Sequence, residues 1–201
     1  MEKFLFLTLF IISLFVTMIL YRKFVNKFPI KWWMSIISFL VPTVSIIYTN
    51  YFTLEFFLFC IVQEVLLILA FTDILYFEID KKSYWLLLVL SFIMFINNAL
   101  HPEVHLLDVA ICPLIMYFIF WIFDKIFGIE KLGGADVKLM LILSFYYPAT
   151  DIFSFVIVTF GISTILFIIY AIKQKGIKNV QVPMIVGIAL SFFIQEAYLI
   201  G

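Results

Sequence analysis

Apolar runs separated by short polar connections organise this chain, and their lengths predict helices. The runs are Phe4 to Leu20, Trp33 to Tyr48, Phe56 to Thr72, Tyr84 to Asn98, Leu106 to Phe123, Val137 to Tyr147, Ile152 to Ile172 and Pro183 to Leu199. They read as eight candidate transmembrane helices, because spanning a bilayer takes about 20 mostly apolar residues. The run from Val137 is short for that length, so it is expected to be tilted, extended backwards into the preceding glycine loop, or only partly spanning. The longest polar connections hold about a dozen residues, which leaves any chemistry to helices and their ends.

Composition moves the reading in the same direction. Of the 201 residues, 66% are hydrophobic, 20% aromatic and only 13% charged, and the mean hydropathy is +1.20. A soluble domain carries roughly a quarter charged residues, so the expected fold class is an all-α, polytopic membrane bundle over residues 1–201 as a single domain. Net charge is zero, which implies no nucleic-acid partner. Cys60 and Cys112 lie inside apolar runs without a CxxC pair, and are read as small hydrophobes.

Basic residues set the direction, since Lys and Arg near helix ends are retained on the cytoplasmic side. With both termini outside, the inner loops hold Arg22, Lys23, Lys27, Lys31, Lys81, Lys82, Lys125, Lys131, Lys138, Lys173, Lys175 and Lys178, leaving only Lys3 of the 13 basic residues outside. An odd number of helices spoils this segregation. Arg22 and Lys23 follow the first run where a signal peptide would carry a small-residue cleavage site, so that run is read as an uncleaved anchor.

A charged side chain at bilayer depth costs roughly 2.5 to 3.5 kcal/mol on insertion scales, so each acid near a span calls for an explanation. Asp73 ends the third run in "LAFTDILYFEIDKK", and Asp136 opens the sixth in "EKLGGADVKLM". The orientation puts both at the cytoplasmic face. Two carboxylates brought together in a partly dry site do not both ionise easily, and a pair sharing one proton can act as general acid and base in an aspartyl protease. Taken alone, Asp136 also fits an ordinary helix start. Gly133 and Gly134 are expected to form a hinge beside which an extended peptide can lie, because glycine permits close backbone approach.

Other acids carry plainer readings. Glu64 lies nine residues before Asp73, about 13.5 Å along a continuous helix and half a turn around it, so it and Gln63 are expected to make interhelical hydrogen bonds. Asp80 or Ser83 is expected to cap the fourth helix. Asp124, Lys125, Glu130 and Lys131 flank the glycine loop as a solvated face. In "HPEVHLLD", His101 and His105 are spaced to share a helix face with Glu103 and Asp108 nearby, but Pro102 reads as a helix start and the segment lies opposite the aspartates. No metal site is assigned.

With these residues placed, the chain resembles the type IV prepilin peptidase family of membrane aspartyl proteases. "GIEKLGGADVKLM" is similar to the family's second motif, a glycine-rich turn before a catalytic aspartate of the GxGD kind, followed by Val-Lys-Leu. "TDILYFEID" is similar to its first motif, and "VQVPMIVGIALSF" resembles its final helix, so the likeness extends over essentially the whole chain. Ala135 stands where the family usually has Gly, and Asp80 where it usually has Pro. The cytoplasmic four-cysteine zinc module that many members carry between the first two spans is absent from "YRKFVNKFPIK".

The resemblance implies that Asp73 and Asp136 are the catalytic pair and that Gly133, Gly134, Ala135, Lys138, Glu130, Glu78 and Asp80 surround the substrate. It implies a prepilin-like substrate with a basic leader and an apolar helix, cut at their junction on the cytoplasmic face of a bacterial-type inner membrane. Glu78, Asp80 and Glu130 are expected to attract the leader. Peptidase activity needs no cofactor. Many relatives also methylate the new amino terminus with S-adenosylmethionine, but no stretch here reads as a site for it. Two alternatives remain at this stage: a catalytically silent scaffold of a pilus, secretion or competence assembly, and a transporter using Glu64, Asp73 and Asp136 as a proton or cation path.

Overall fold

The computed structural model describes residues 2–24, 30–49, 53–78, 80–100, 106–127, 134–147, 149–173 and 182–200. Among these, eight helices follow one another: α1 Glu2–Phe24, α2 Trp32–Thr49, α3 Leu54–Tyr76, α4 Lys81–Leu100, α5 Leu106–Phe127, α6 Gly134–Leu143, α7 Ala149–Lys173 and α8 Met184–Ile200. The described residues contain no strand.

Local signals fix the ends of α3 and α4. Thr53 caps α3, its hydroxyl accepting the Phe56 N–H at 3.2 Å. The helix closes at Phe77, whose left-handed backbone (φ 50) lets its N–H donate to the Asp73 carbonyl at 2.9 Å. Asp80 then starts α4. Its Oδ1 accepts the Lys82 N–H at 2.9 Å and its carbonyl accepts the Ser83 N–H at 3.0 Å, two of the donors that a helix start leaves without an internal partner. Ser83 is used differently, sharing a buried 2.6 Å hydrogen bond with the Tyr21 hydroxyl that ties α4 to α1.

The centre of the bundle is α3, which packs against α1, α2, α4 and α8. It is apolar on every side, as a helix surrounded by others is, apart from the few enclosed polar groups Gln63, Glu64, Thr72 and Asp73. Both α3, over Glu55–Tyr76, and α7, over Ile152–Lys173, are long and apolar enough to cross a membrane, yet most of the first is buried and little of the second. That contrast makes α3 the core and α7 a peripheral helix with an apolar outer face. Similar faces expose Leu20, Trp85, Leu114, Ile157 and Ile172, the last at 73%, well beyond the scattered apolar residues of a soluble surface.

The interior holds small polar side chains instead. Ser35, Ser38, Ser91, Ser144, Thr159 and Ser191 are fully buried between helices, a distribution suited to lipid outside and polar contacts inside. Gln63 and Glu64 are buried too, at 2% and 1% exposure. The interhelical hydrogen bonds expected of them are not formed, since neither head group has a partner among the described residues.

Contacts show that α1 and α2, α3 and α4, and α7 and α8 run in opposite directions. The end of α1 meets the start of α2, where Arg22 sits 3.8 Å over the Trp32 ring. At the other end of the bundle, Asn97 late in α4 donates to Glu55 early in α3 at 3.0 Å. Phe59 stacks on Phe192 between α3 and α8 at 5.3 Å, and Gln195 donates to Ser154 between α8 and α7 at 2.7 Å.

At α6 the helix extends backwards into the glycine loop and is short, as two of the alternatives for this run had it, but it ends before the apolar run does. The helix starts at Gly134 and ends at Leu143, earlier than the apolar run, because residues 144–146 form a turn. Its 10 residues rise about 15 Å, half the roughly 30 Å of a bilayer core. Gly134 is the first residue of the helix, and Gly133, the other half of the expected hinge, lies outside the described residues.

Close approach of α7 and α8 depends on Gly187. A Cβ there would collide with the Ser163 hydroxyl, while the Ser163 Cβ would stay at 3.5 Å. Gly187→Ala is thus expected to lower the unfolding free energy by about 1 to 3 kcal/mol. Adding Ser163→Ala, which removes the colliding oxygen, should restore most of the loss in a thermal melt of detergent-solubilised protein; no restoration would place the strain elsewhere.

Candidate active site

Four helix ends converge at one end of the bundle. From the last turn of α3 comes Asp73, buried at 9% exposure. From the first turn of α6 comes Asp136, half-buried. Their charges lie within interaction range of each other, and Tyr84, near the start of α4, lies within range of both. The start of α8 completes the group, with the Ile185 N–H donating to Asp73 Oδ2 at 3.2 Å.

This last bond has a simple origin. Val182 and Pro183 precede α8 and neither offers a side-chain oxygen; the Pro183 carbonyl accepts the Val186 N–H at 3.2 Å, but the Ile185 N–H takes no acceptor from these two residues. Asp73 supplies one from 112 residues away. The carboxylate is thereby fixed on one oxygen, leaving Oδ1 without a hydrogen bond of its own in that contact. Asp136 is set by a different device: it rides on a helix start whose position is determined by packing of α6 against α4, α5 and α8. Val137, Leu139, Met140 and Leu143 anchor that helix in the core.

The remaining sequence candidates divide clearly. Lys138 is exposed on α6. Glu78 is exposed just beyond α3. Asp80 is buried at 6% and turned to the α4 cap, so it is not presented to a leader at the surface. Gly134 and Ala135 lie in the first turn of α6. Gly133, Glu130 and Lys131 fall outside the described residues, as do His101, Glu103 and His105; Asp108 and Asp124 are described in backbone only. Glu64 sits deep in α3, nine residues from Asp73, away from this end of the bundle.

A model of the type IV leader peptidase family matches residues 56–172, more than half of the chain. The chain belongs to that family. Membership makes it a type IV leader peptidase-like protease, and the family is membrane-associated. The matched stretch runs from the start of α3 almost to the end of α7, so Asp73, Tyr84 and Asp136 fall within it. The α8 start that holds Asp73 lies beyond it. Comparison with curated proteins and with solved structures returned no match.

Sequence reasoning did not find Tyr84 or Ile185. Tyr84 is hidden as one more aromatic in an apolar run, and Ile185 contributes only its backbone. The available signal for the second was negative: Val182 and Pro183 carry no side-chain oxygen to cap the helix that follows, which leaves its start open to an acceptor from another element.

The bond to Ile185 separates the structural part of Asp73 from its chemistry. Asp73→Asn retains an acceptor oxygen and is expected to melt with the wild type, whereas Asp73→Ala should lose about 1 kcal/mol, as other missing caps do. Thermal unfolding of the two variants in detergent checks this, and equal melting of the Ala variant would show that α8 finds another acceptor.

Proposed function

We propose that this peptidase is a multi-pass aspartyl endopeptidase that removes the basic leader from prepilin-like subunits at the cytoplasmic membrane face, with Asp73 and Asp136 as its catalytic pair. The observation that carries the reading is that two carboxylates, on the last turn of α3 and the first turn of α6, stand at one end of the bundle within charge range of each other. Tyr84 borders the pair and the start of α8 holds one member of it.

The chemistry follows from the pair sharing one proton. The charged carboxylate takes a proton from a water molecule as that water attacks the scissile carbonyl carbon, and the neutral carboxyl hydrogen-bonds the carbonyl oxygen. The resulting tetrahedral carbon collapses when a proton passes to the amide nitrogen, the C–N bond breaks, and the two aspartates have exchanged roles. The pair titrates as a unit. Fixing Asp73 through one oxygen by a main-chain donor leaves the other available for this exchange.

A multi-pass arrangement with this end in the cytoplasm is supported by the placement of charge. Arg22, Lys23, Lys31, Lys81, Lys82, Lys125, Lys138 and Lys173 all sit at helix ends on the aspartate side once the helices alternate, the pattern that retains Lys and Arg inside. A site at helix ends suits a substrate whose apolar helix stays in lipid while its leader reaches out of the membrane. Glu78, exposed beside α3, supplies negative charge facing such a leader. Asp73 and Asp136 share one end of the bundle while Glu64 stands alone deep in α3, and two acids side by side favour this reading over an ion path.

Cleavage of a prepilin-like subunit in membranes containing wild type, Asp73→Asn or Asp136→Asn tests the proposal. Each Asn variant is expected to lose about 10²- to 10⁴-fold in rate at normal protein level, the usual contribution of a positioned acid or base. Wild-type-like cleavage by either one removes that residue from the mechanism.

A further inference from the structure

Beside the aspartate pair, α4 and α6 leave a groove of about 610 Å3 between them. Its walls follow helical spacing on both sides. Lys81, Tyr84, Trp85 and Leu88 line it from α4, at i, i+3, i+4 and i+7; Lys138, Leu141 and Ile142 line it from α6, at i, i+3 and i+4. Residues so spaced lie on one helix face. Each wall therefore begins with a lysine and continues with apolar side chains, and the two lysines stand at the same end because both helices start there.

Neither lysine has an ion pair among the described residues, and both are exposed. Trp85 is 68% exposed at the groove, an aromatic side chain of the type that collects at the membrane surface. The recess thus has a doubly positive head and an apolar shaft, complementary to an amphiphile with an anionic head. A basic leader is repelled by the same charges. Basic pockets between helices near the cytoplasmic surface suit the headgroups of anionic lipids, each Lys adding electrostatic attraction.

We propose that the α4/α6 groove binds one anionic phospholipid, its phosphate between Lys81 and Lys138 and an acyl chain against Trp85, Leu88, Leu141 and Ile142. The proposal rests on the membrane placement given above. Tyr84 lines the same groove and lies within charge range of Asp73 and Asp136, so the lipid sits directly beside the proposed catalytic pair.

The test uses the full chain in phosphatidylcholine nanodiscs containing increasing fractions of phosphatidylglycerol with brominated acyl chains, which quench nearby tryptophan. Trp85→Phe identifies the Trp85 component of the emission. Brominated phosphatidylglycerol is expected to quench that component at a lower mole fraction than brominated phosphatidylcholine. Lys81→Gln and Lys138→Gln should each raise the required fraction about fivefold, and together roughly thirtyfold, from the attraction of one basic side chain to an anionic headgroup. Arg at both positions keeps the charge and should keep the preference, which separates lost charge from damaged structure.

Equal quenching by the two lipids in the wild type overturns the proposal, as does an undiminished preference in the double Gln variant. Shielding of Trp85 by a prepilin-like peptide and never by lipid would make the groove a substrate channel and equally overturn it. Cleavage is not part of the readout, so failure of lipid binding and failure of the peptidase mechanism are observed separately.

Discussion

The hydrogen bond from the Ile185 N–H to Asp73 is the constraint on which the geometry of the site depends. A helix that starts among apolar residues in a packed interior cannot leave its first N–H groups unpaired, at a cost of about 1 to 3 kcal/mol for each buried orphan. With Pro183 before it and no capping side chain, α8 takes its acceptor from α3. One bond therefore aligns two helices far apart in sequence, and the Phe59–Phe192 stack further along them keeps the alignment. It also holds a carboxylate in a buried position. The side chain that completes the fold at this point is the one proposed to perform the chemistry, which is why a substitution there has to be judged by stability and activity together.

Around that bond, the distribution of polarity is the reverse of a soluble domain's. Apolar faces on α1, α2, α4, α5 and α7 point outward, while serines, threonines, Gln63 and Glu64 are enclosed. In such a bundle, close packing and small side chains, rather than burial of oil from water, hold helices together. Gly187 against Ser163 is one instance, allowing α7 to close on α8. Since α8 in turn holds Asp73, packing at the edge of the bundle contributes to the position of a carboxylate near its centre.

The helices were legible because each is an uninterrupted apolar run between charged connections, and hydropathy records that directly. Their ends were less so. At α6 the apolar run continues to Tyr147, but the helical hydrogen bonds stop and a turn follows, and no hydropathy pattern distinguishes the two. Asp73 and Asp136 stood out as acids beside spans, yet periodicity carries no information about their approach across the 62 residues between them. Tyr84 and Ile185 were invisible for complementary reasons: one looks like ordinary core, and the other acts through an atom that every residue but proline possesses. The hydrogen bonds expected of Gln63 and Glu64 failed because burial alone does not bring a partner into reach.

The connection between α3 and α4 shows how a departure from the family's usual first motif is accommodated. Only Phe77 to Asp80 separate the two helices, and the chain must reverse there without displacing Asp73 on one side or Tyr84 on the other. Phe77 enters the left-handed region, at a cost of about 1 to 2 kcal/mol for a residue with a Cβ, and the Asp73 carbonyl accepts its N–H. The family's usual proline would start the following helix by restricting the backbone. Asp80 starts it through hydrogen bonds to Lys82 and Ser83, a cap worth about 1 kcal/mol, which offsets much of the strain at Phe77. Proline and aspartate thus reach the same helix start by different physics, and the substitution leaves both the α3 carboxylate and the α4 tyrosine in place.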